Sequence, residues 1–236
     1  STGPQSAADR AFMTAHRANQ KDDLIALITA ARQIPPDYRL ADYVAYWTLR
    51  LQLRATDAPD HSLTNAVRQF VARHSDKVSG DLMRRQWMLN LADRDQWREM
   101  LQLLPQWQRR NDTRVFCRAG QARMALGQAP GQDALRGFQR DRDLGIECGD
   151  FAKDLVQARL LTHDDLRARM WRALELRDWQ SVRLLARMRG GADDEIEAAV
   201  SAPLLMIGAV DPASPEPLNS QAPSDSEDAL LIAIIS

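Results

Sequence analysis

The sequence predicts an all-α fold, a solenoid of helical hairpins (an α-superhelix) forming a ring- or arc-shaped shell fragment over residues 1–200. Three observations carry this reading. Alternating Val/Ile/Thr/Tyr runs closed by Asn-Gly or Asp-Gly turns do not occur. Apolar residues instead recur at helical spacing along most of the chain. The polar breaks between those stretches are short, which makes consecutive helices antiparallel neighbours.

The elements follow in chain order. Leu24, Ile25, Leu27, Ile28 and Ala31 form the first apolar stripe, and Val67, Phe70 and Val71 open another. Met83, Trp87, Met88 and Leu91 continue at i, i+4, i+5 and i+8, followed by Met100, Leu101, Leu104 and Trp107. Beyond them lie Phe151, Leu155 and Val156, then Leu166, Met170, Trp171 and Leu174, then Val182, Leu185 and Met188. Most of these segments are expected to run 12–17 residues. Breaks are expected at Asn19–Asp22, Ile34–Asp37, Thr56–Asp60, Ala92–Asp95, Gly127–Gly131, Leu144–Cys148, Leu176–Asp178 and Arg189–Gly191.

An internal repeat supports the hairpin reading. Asn19–Leu27, Ala92–Leu101 and Leu176–Leu185 share one plan: a helix end, a polar turn containing Asp, and an aromatic or aliphatic anchor opening the next helix. The later two copies lie about 80 residues apart, roughly twice the length of a two-helix repeat. A hairpin of this kind cannot bury its apolar face alone, so neighbours stack to do it. Asp22, Asp95, Asp164 and Asp165 are read as lying at caps and turns, where they accept helix N-terminal N–H bonds. The six tryptophans, Trp47, Trp87, Trp97, Trp107, Trp171 and Trp179, fall at helix starts or on apolar faces, where packing accounts for them.

Composition narrows the function. With 236 residues, 44% apolar and 27% charged, the chain is a folded globular protein and neither collagen-like nor disordered. Its longest charge-free apolar run, Ala198–Val210, has thirteen residues, short of the ~20 that cross a bilayer, so no membrane span is predicted. The first residues lack the charged and apolar regions of a secretory signal, as in a chain that is not exported or one whose signal has been removed. From Gly190 onward there are nine acids and no base, whereas residues 1–189 hold 31 bases against 23 acids, a net of +8. Only Lys21, Lys77 and Lys153 are lysines; the other bases are arginines, interleaved with Asp and Gln and never gathered into a basic run. No nucleic-acid partner is expected.

Motifs for phosphate loops, nucleophile elbows, dinucleotide binding or zinc proteases are absent. His16, His61, His74 and His163 are scattered without an i, i+4 partner. No catalytic, cofactor-binding or metal-ligating residue is predicted, and no cofactor. Cys117 and Cys148, 31 positions apart, are the only cysteines. Their spacing fits a disulfide between the starts of two helices that lie next but one to each other, and equally two unrelated buried thiols.

Three places carry a family resemblance. The first is Asp42-Tyr-Val-Ala-Tyr-Trp47 followed by Val67-Arg-Gln-Phe-Val-Ala-Arg73; the second runs from Leu82 to Trp97 with Leu101–Pro105 after it; the third is Cys117 and Cys148 in their flanking segments. On these residues the stretch from Gln33 to Met188 resembles the N-terminal superhelical region of the soluble lytic transglycosylases of Gram-negative bacteria. The resemblance implies a periplasmic location and action on peptidoglycan, whose glycan bond the family cleaves without water to leave a 1,6-anhydro sugar. It also implies a Cys117–Cys148 disulfide, weak contact with peptidoglycan glycan strands, and a partner in a C-terminal lysozyme-like catalytic domain. That domain is marked by Glu-Ser and Gly-Leu-Met-Gln, and neither string occurs here. None of the seven glutamates stands in that context, so the chain alone is expected to be an inactive scaffold. Residues 201–236 read as a Pro/Ser-rich connection, an N-cap at Ser224–Asp228 and the opening of a truncated helix at Ala229–Ile235. The alternative is a tetratricopeptide-like, protein-binding repeat adaptor, against which stands the lack of a clean 34-residue pattern.

Overall fold

A computed structural model describes residues 6–110, 112–140 and 144–188, and among these every regular element is a helix. The fold class is all-α. The expected break at Arg189–Gly191 and the expected elements of residues 201–236 lie outside the described residues. The chain divides into two compact units, one comprising residues up to Asn111 with Ala122–Gln128, the other Asp112–Gln121 with the residues from Ala129 onward.

The first unit opens with α1 (Ala7–Gln20), α2 (Leu24–Ala31) and α3 (Ala41–Arg54). A capping box starts α1: the Asp9 amide donates to Ser6 Oγ at 3.1 Å and the Ser6 amide to Asp9 Oδ2 at 3.2 Å. Ala11, Ala15 and Ala18 are its buried residues, and Ala15 and Ala18 bring α1 close to Leu27, Ala30, Val44 and Leu51. Next come α4 (His61–Arg73), α5 (Val78–Asp93), α6 (Trp97–Leu103) and a single 3-10 turn at Leu104–Gln106. Helix α5 packs against α3, α4 and α6, which buries it on most of its circumference. Gly80 is obligatory at its start, because a Cβ there would stand 1.9 Å from the His74 carbonyl oxygen.

The second unit takes the first turns of α7 (Thr113–Ala125), then α8 (Gln132–Arg140), α9 (Ile146–Gln157), α10 (His163–Glu175) and α11 (Trp179–Met188). Phe138, Leu144, Phe151, Leu155, Leu166 and Leu185 fill its core. Gly120 admits the Phe151 ring against α7, where a Cβ would meet Phe151 Cε2 at 2.5 Å. Gln121 Nε2 donates to Asp154 Oδ2 at 2.9 Å, tying α7 to α9. Ser181 Oγ accepts from the Leu144 amide at 2.9 Å and donates to Asp178.

The repeated sequence plan marks one backbone device. Asp22, Asp95 and Arg177 adopt left-handed φ values of 53°, 57° and 54°. The amide of the following residue donates to the carbonyl five positions back: Asp23 to Ala18 at 2.9 Å, Gln96 to Leu91 at 2.8 Å, Asp178 to Ala173 at 2.9 Å. This is a Schellman closure running straight into the next helix, and it makes tight hairpins of α1/α2, α5/α6 and α10/α11. Gly127 (φ 75°) and Arg159 (φ 56°) repeat the geometry after α7 and α9, so Asp95, Gly127 and Arg159 stand 32 residues apart.

Some expectations need correction. Seven of the eleven α-helices among the described residues have 12–16 residues, as expected of most, while α2, α6, α8 and α11, with 8, 7, 9 and 10, are shorter. Asp22 and Asp95 are not N-caps: each occupies the left-handed turn position, which Asp tolerates better than most residues. Asp23 is the cap of α2, accepting from the Ala26 amide at 2.9 Å, and Gln96 at the start of α6 makes no side-chain cap bond. Thr162 caps α10, with Asp165 as the reciprocal member of a capping box and Asp164 paired to Arg167 at 2.6 Å. Helix α9 begins at Ile146, inside the expected Leu144–Cys148 break.

Candidate functional site

The sequence-predicted pair is joined. Cys117 and Cys148 form a disulfide with an S–S distance of 2.10 Å and a Cα–Cα distance of 5.0 Å. Of the two readings open from spacing, the bonded one holds. The cysteines lie on α7 and α9, helices next but one to each other, and both are fully buried. Attack by an external thiolate needs access to a sulfur, so this bond acts as a staple.

The three histidines of the first unit, His16, His61 and His74, sit in separate surroundings. The His16 ring lies 5.5 Å from the Trp47 ring and the His74 ring 4.4 Å from Phe70, while His61 opens α4 at the surface. Among the described residues no group of three or more His, Cys, Asp or Glu gathers into a metal site. Burial holds the His74 imidazole below its ordinary pKa, with Lys77 adding repulsion, and its Nδ1 is buried without a partner.

A cleft of about 460 Å³ lies in the first unit between α4, α5 and the α6 segment. Its construction begins with Asp81, in the first turn of α5. Asp81 Oδ1 accepts from the Gln108 amide at 2.9 Å and Oδ2 from the Arg109 amide at 3.0 Å, which pins the chain after the 3-10 turn against α5. Oδ1 also accepts from Arg84 Nη1 at 3.0 Å. Asp81 is 3% exposed and Arg84 2%. Asp81 Oδ1 is the one acceptor that Arg84 finds among the described residues, and its buried Nε finds none.

Around Arg84 the cleft combines apolar and polar surfaces. Val71, Trp87, Leu91 and Leu103 supply apolar lining, and Glu99 and Gln102 bring polar groups from α6. The Arg68 guanidinium, on the exposed face of α4, stands 6.0 Å from the centroid of the Trp87 ring, within cation–π range. Arg68 meets no carboxylate among the described residues.

Sequence reasoning passed over this site, although a signal was present. Asp81, Arg84, Met88 and Leu91 fall at i, i+3, i+7 and i+10, so two opposite charges interrupt an apolar stripe. A charge on a core stripe is buried and paired or does not fold. No family model matches the chain, and neither a curated protein nor a solved structure matches it.

Proposed function

We propose that this chain is the non-catalytic superhelical scaffold region of a periplasmic lytic transglycosylase. In this reading its hairpins stack into a curved solenoid that positions a separate catalytic domain and admits glycan strands during cell-wall turnover. The observation that carries the reading is the buried Cys117–Cys148 disulfide, which unites the two cysteines on which the resemblance rests. Structural disulfides persist in oxidising compartments and are rare in the cytosol. The recurring left-handed hairpin turn supports a repeat architecture in the same way.

The scaffold would meet the carboxylates of the wall through the net +8 of residues 1–189, a weak and salt-screened attraction. Pull-down on purified sacculi tests this: retention at low salt that is lost in ~0.5 M salt is expected, since screening there is nearly complete. Failure to be retained at low salt overturns the binding role. Release of anhydro-muropeptides by the chain alone overturns the non-catalytic assignment.

One observation favours a second reading, a tetratricopeptide-like peptide-binding adaptor. The 32-residue recurrence at Asp95, Gly127 and Arg159 is close to the ~34-residue period of that architecture. Small-angle scattering and sacculus retention separate the two, because only the scaffold reading requires wall binding.

A further inference from the structure

We propose that the cleft between α4, α5 and α6 binds a carboxylate ligand with a small apolar body, specifically the C-terminal residue of a peptide. The inference stands independently of the cell-wall reading, because it uses only the geometry of this cleft.

The first argument is an unmet demand. Arg84 carries five N–H donors, is almost wholly buried and finds a single acceptor, Asp81 Oδ1. Buried donors left unpaired are costly, and a carboxylate matches the planar guanidinium fork better than any other common group. The second argument is Arg68, which lines the same cleft, stands 6.0 Å from the Trp87 ring centroid and has no carboxylate partner among the described residues. Two guanidinium groups therefore border one space, which one carboxylate, Glu99, also lines, while Asp81 pairs with Arg84 from outside the lining.

Charge and shape then select the ligand. Arg68, Arg84 and Glu99 line the cleft and Asp81 pairs with Arg84, a formal sum of zero, which disfavours dianions such as phosphate esters and accepts a monoanion. Val71, Trp87, Leu91 and Leu103 provide an apolar surface for a short side chain, while Gln102 and Gln106 can pair with a peptide amide. A volume of about 460 Å³ lies at the small end of ligand sites and suits one or two residues rather than a folded partner.

The test uses the full chain, isotope-labelled, titrated with N-acetyl-alanyl-alanine and with the same dipeptide carrying a C-terminal amide. The acid is expected to cause saturable shifts confined to Trp87 and its cleft neighbours. The amide should bind about tenfold more weakly, a difference of about 1.4 kcal/mol. Arg68→Ala, at an exposed position, should weaken the acid severalfold while leaving the thermal midpoint unchanged; Gln102→Leu gives a second variant that keeps the buried pair intact. Inorganic phosphate should not compete at equal concentration. Equal response to acid and amide, shifts outside the cleft, indifference to Arg68→Ala, or effective competition by phosphate each overturns the proposal.

Discussion

The buried pair in α5 offers the sharpest test of how this unit is held together. Asp81→Ala removes a carboxylate that accepts three hydrogen bonds, two from backbone amides and one from Arg84. The released amides belong to exposed residues, Gln108 and Arg109, so water can replace their acceptor at little cost. Arg84 has no such relief: it stays buried with its charge uncompensated, which costs about 3–5 kcal/mol. At about 2–4 °C per kcal/mol for a chain of this size, the thermal midpoint should fall by roughly 6–20 °C. Arg84→Met should cost distinctly less, because Asp81 keeps both backbone donors. The double variant, Asp81→Ala with Arg84→Met, leaves no buried charge and should be more stable than Asp81→Ala alone. Circular dichroism melts of the four proteins close the cycle, with a coupling of about 2 kcal/mol expected. A cost below about 1 kcal/mol for Asp81→Ala, or strict additivity in the cycle, would refute the reasoning.

Three further outcomes follow from other parts of the chain. Replacing both cysteines by serine should lower stability by about 4 kcal/mol on the loop-closure account for a 31-residue separation; urea unfolding of oxidised protein and variant measures it, and a loss under about 1 kcal/mol counts against a staple. Stability should decline as pH falls below 6.5, because the half-buried His74 imidazole binds its proton less readily than the unfolded chain does, so the unfolded state takes up the proton first. The urea midpoint should drop between pH 7.5 and 5.5, and His74→Gln should flatten that interval; an unchanged slope in the variant excludes His74 as its source. Asp22 extends the trend to lower pH, since its hydrogen bond from Arg50 depresses its pKa below the ordinary 3.8 and that stabilisation is lost only as the carboxylate protonates. Finally, Gly80→Ala and Gly137→Ala should act in opposite directions. The first forces a Cβ to 1.9 Å from a backbone oxygen and should cost at least ~2 kcal/mol, whereas the second meets nothing nearer than 3.6 Å and should gain about 0.5–1 kcal/mol in helix propensity. Matching thermal shifts for the two would contradict the packing account.

What was legible in the sequence was the part that local physics controls. Helical periodicity names the class, because a 3.6-residue repeat of apolar side chains is imposed by the helix itself. Turn chemistry locates α1/α2 and α5/α6, since Asp22 and Asp95 suit the left-handed position and leave a composition mark, whereas at α10/α11 the left-handed residue is Arg177 and the mark is the neighbouring Asp178. The turn at Arg159 left none, because its conformation is held by the Leu160-to-Leu155 closure and not by residue preference. The His74–Lys77 corner was likewise silent: its tightness is a distance between a carbonyl and Gly80, which only packing creates.

The cysteine pair and the cleft lie on the other side of that line. Spacing left Cys117 and Cys148 open between two readings, and bonding depends on α7 and α9 lying side by side, a relation between elements far apart in the chain. Asp81 and Arg84 were visible as charges on an apolar stripe, but their meaning came from Gln108 and Arg109, which arrive 27 and 28 residues later to complete the carboxylate. Residue type and short-range spacing decide which helices form, because those energies are local. Which side chains share a buried space is decided by the packed whole, because burial and hydrogen-bond satisfaction belong to all the neighbours together.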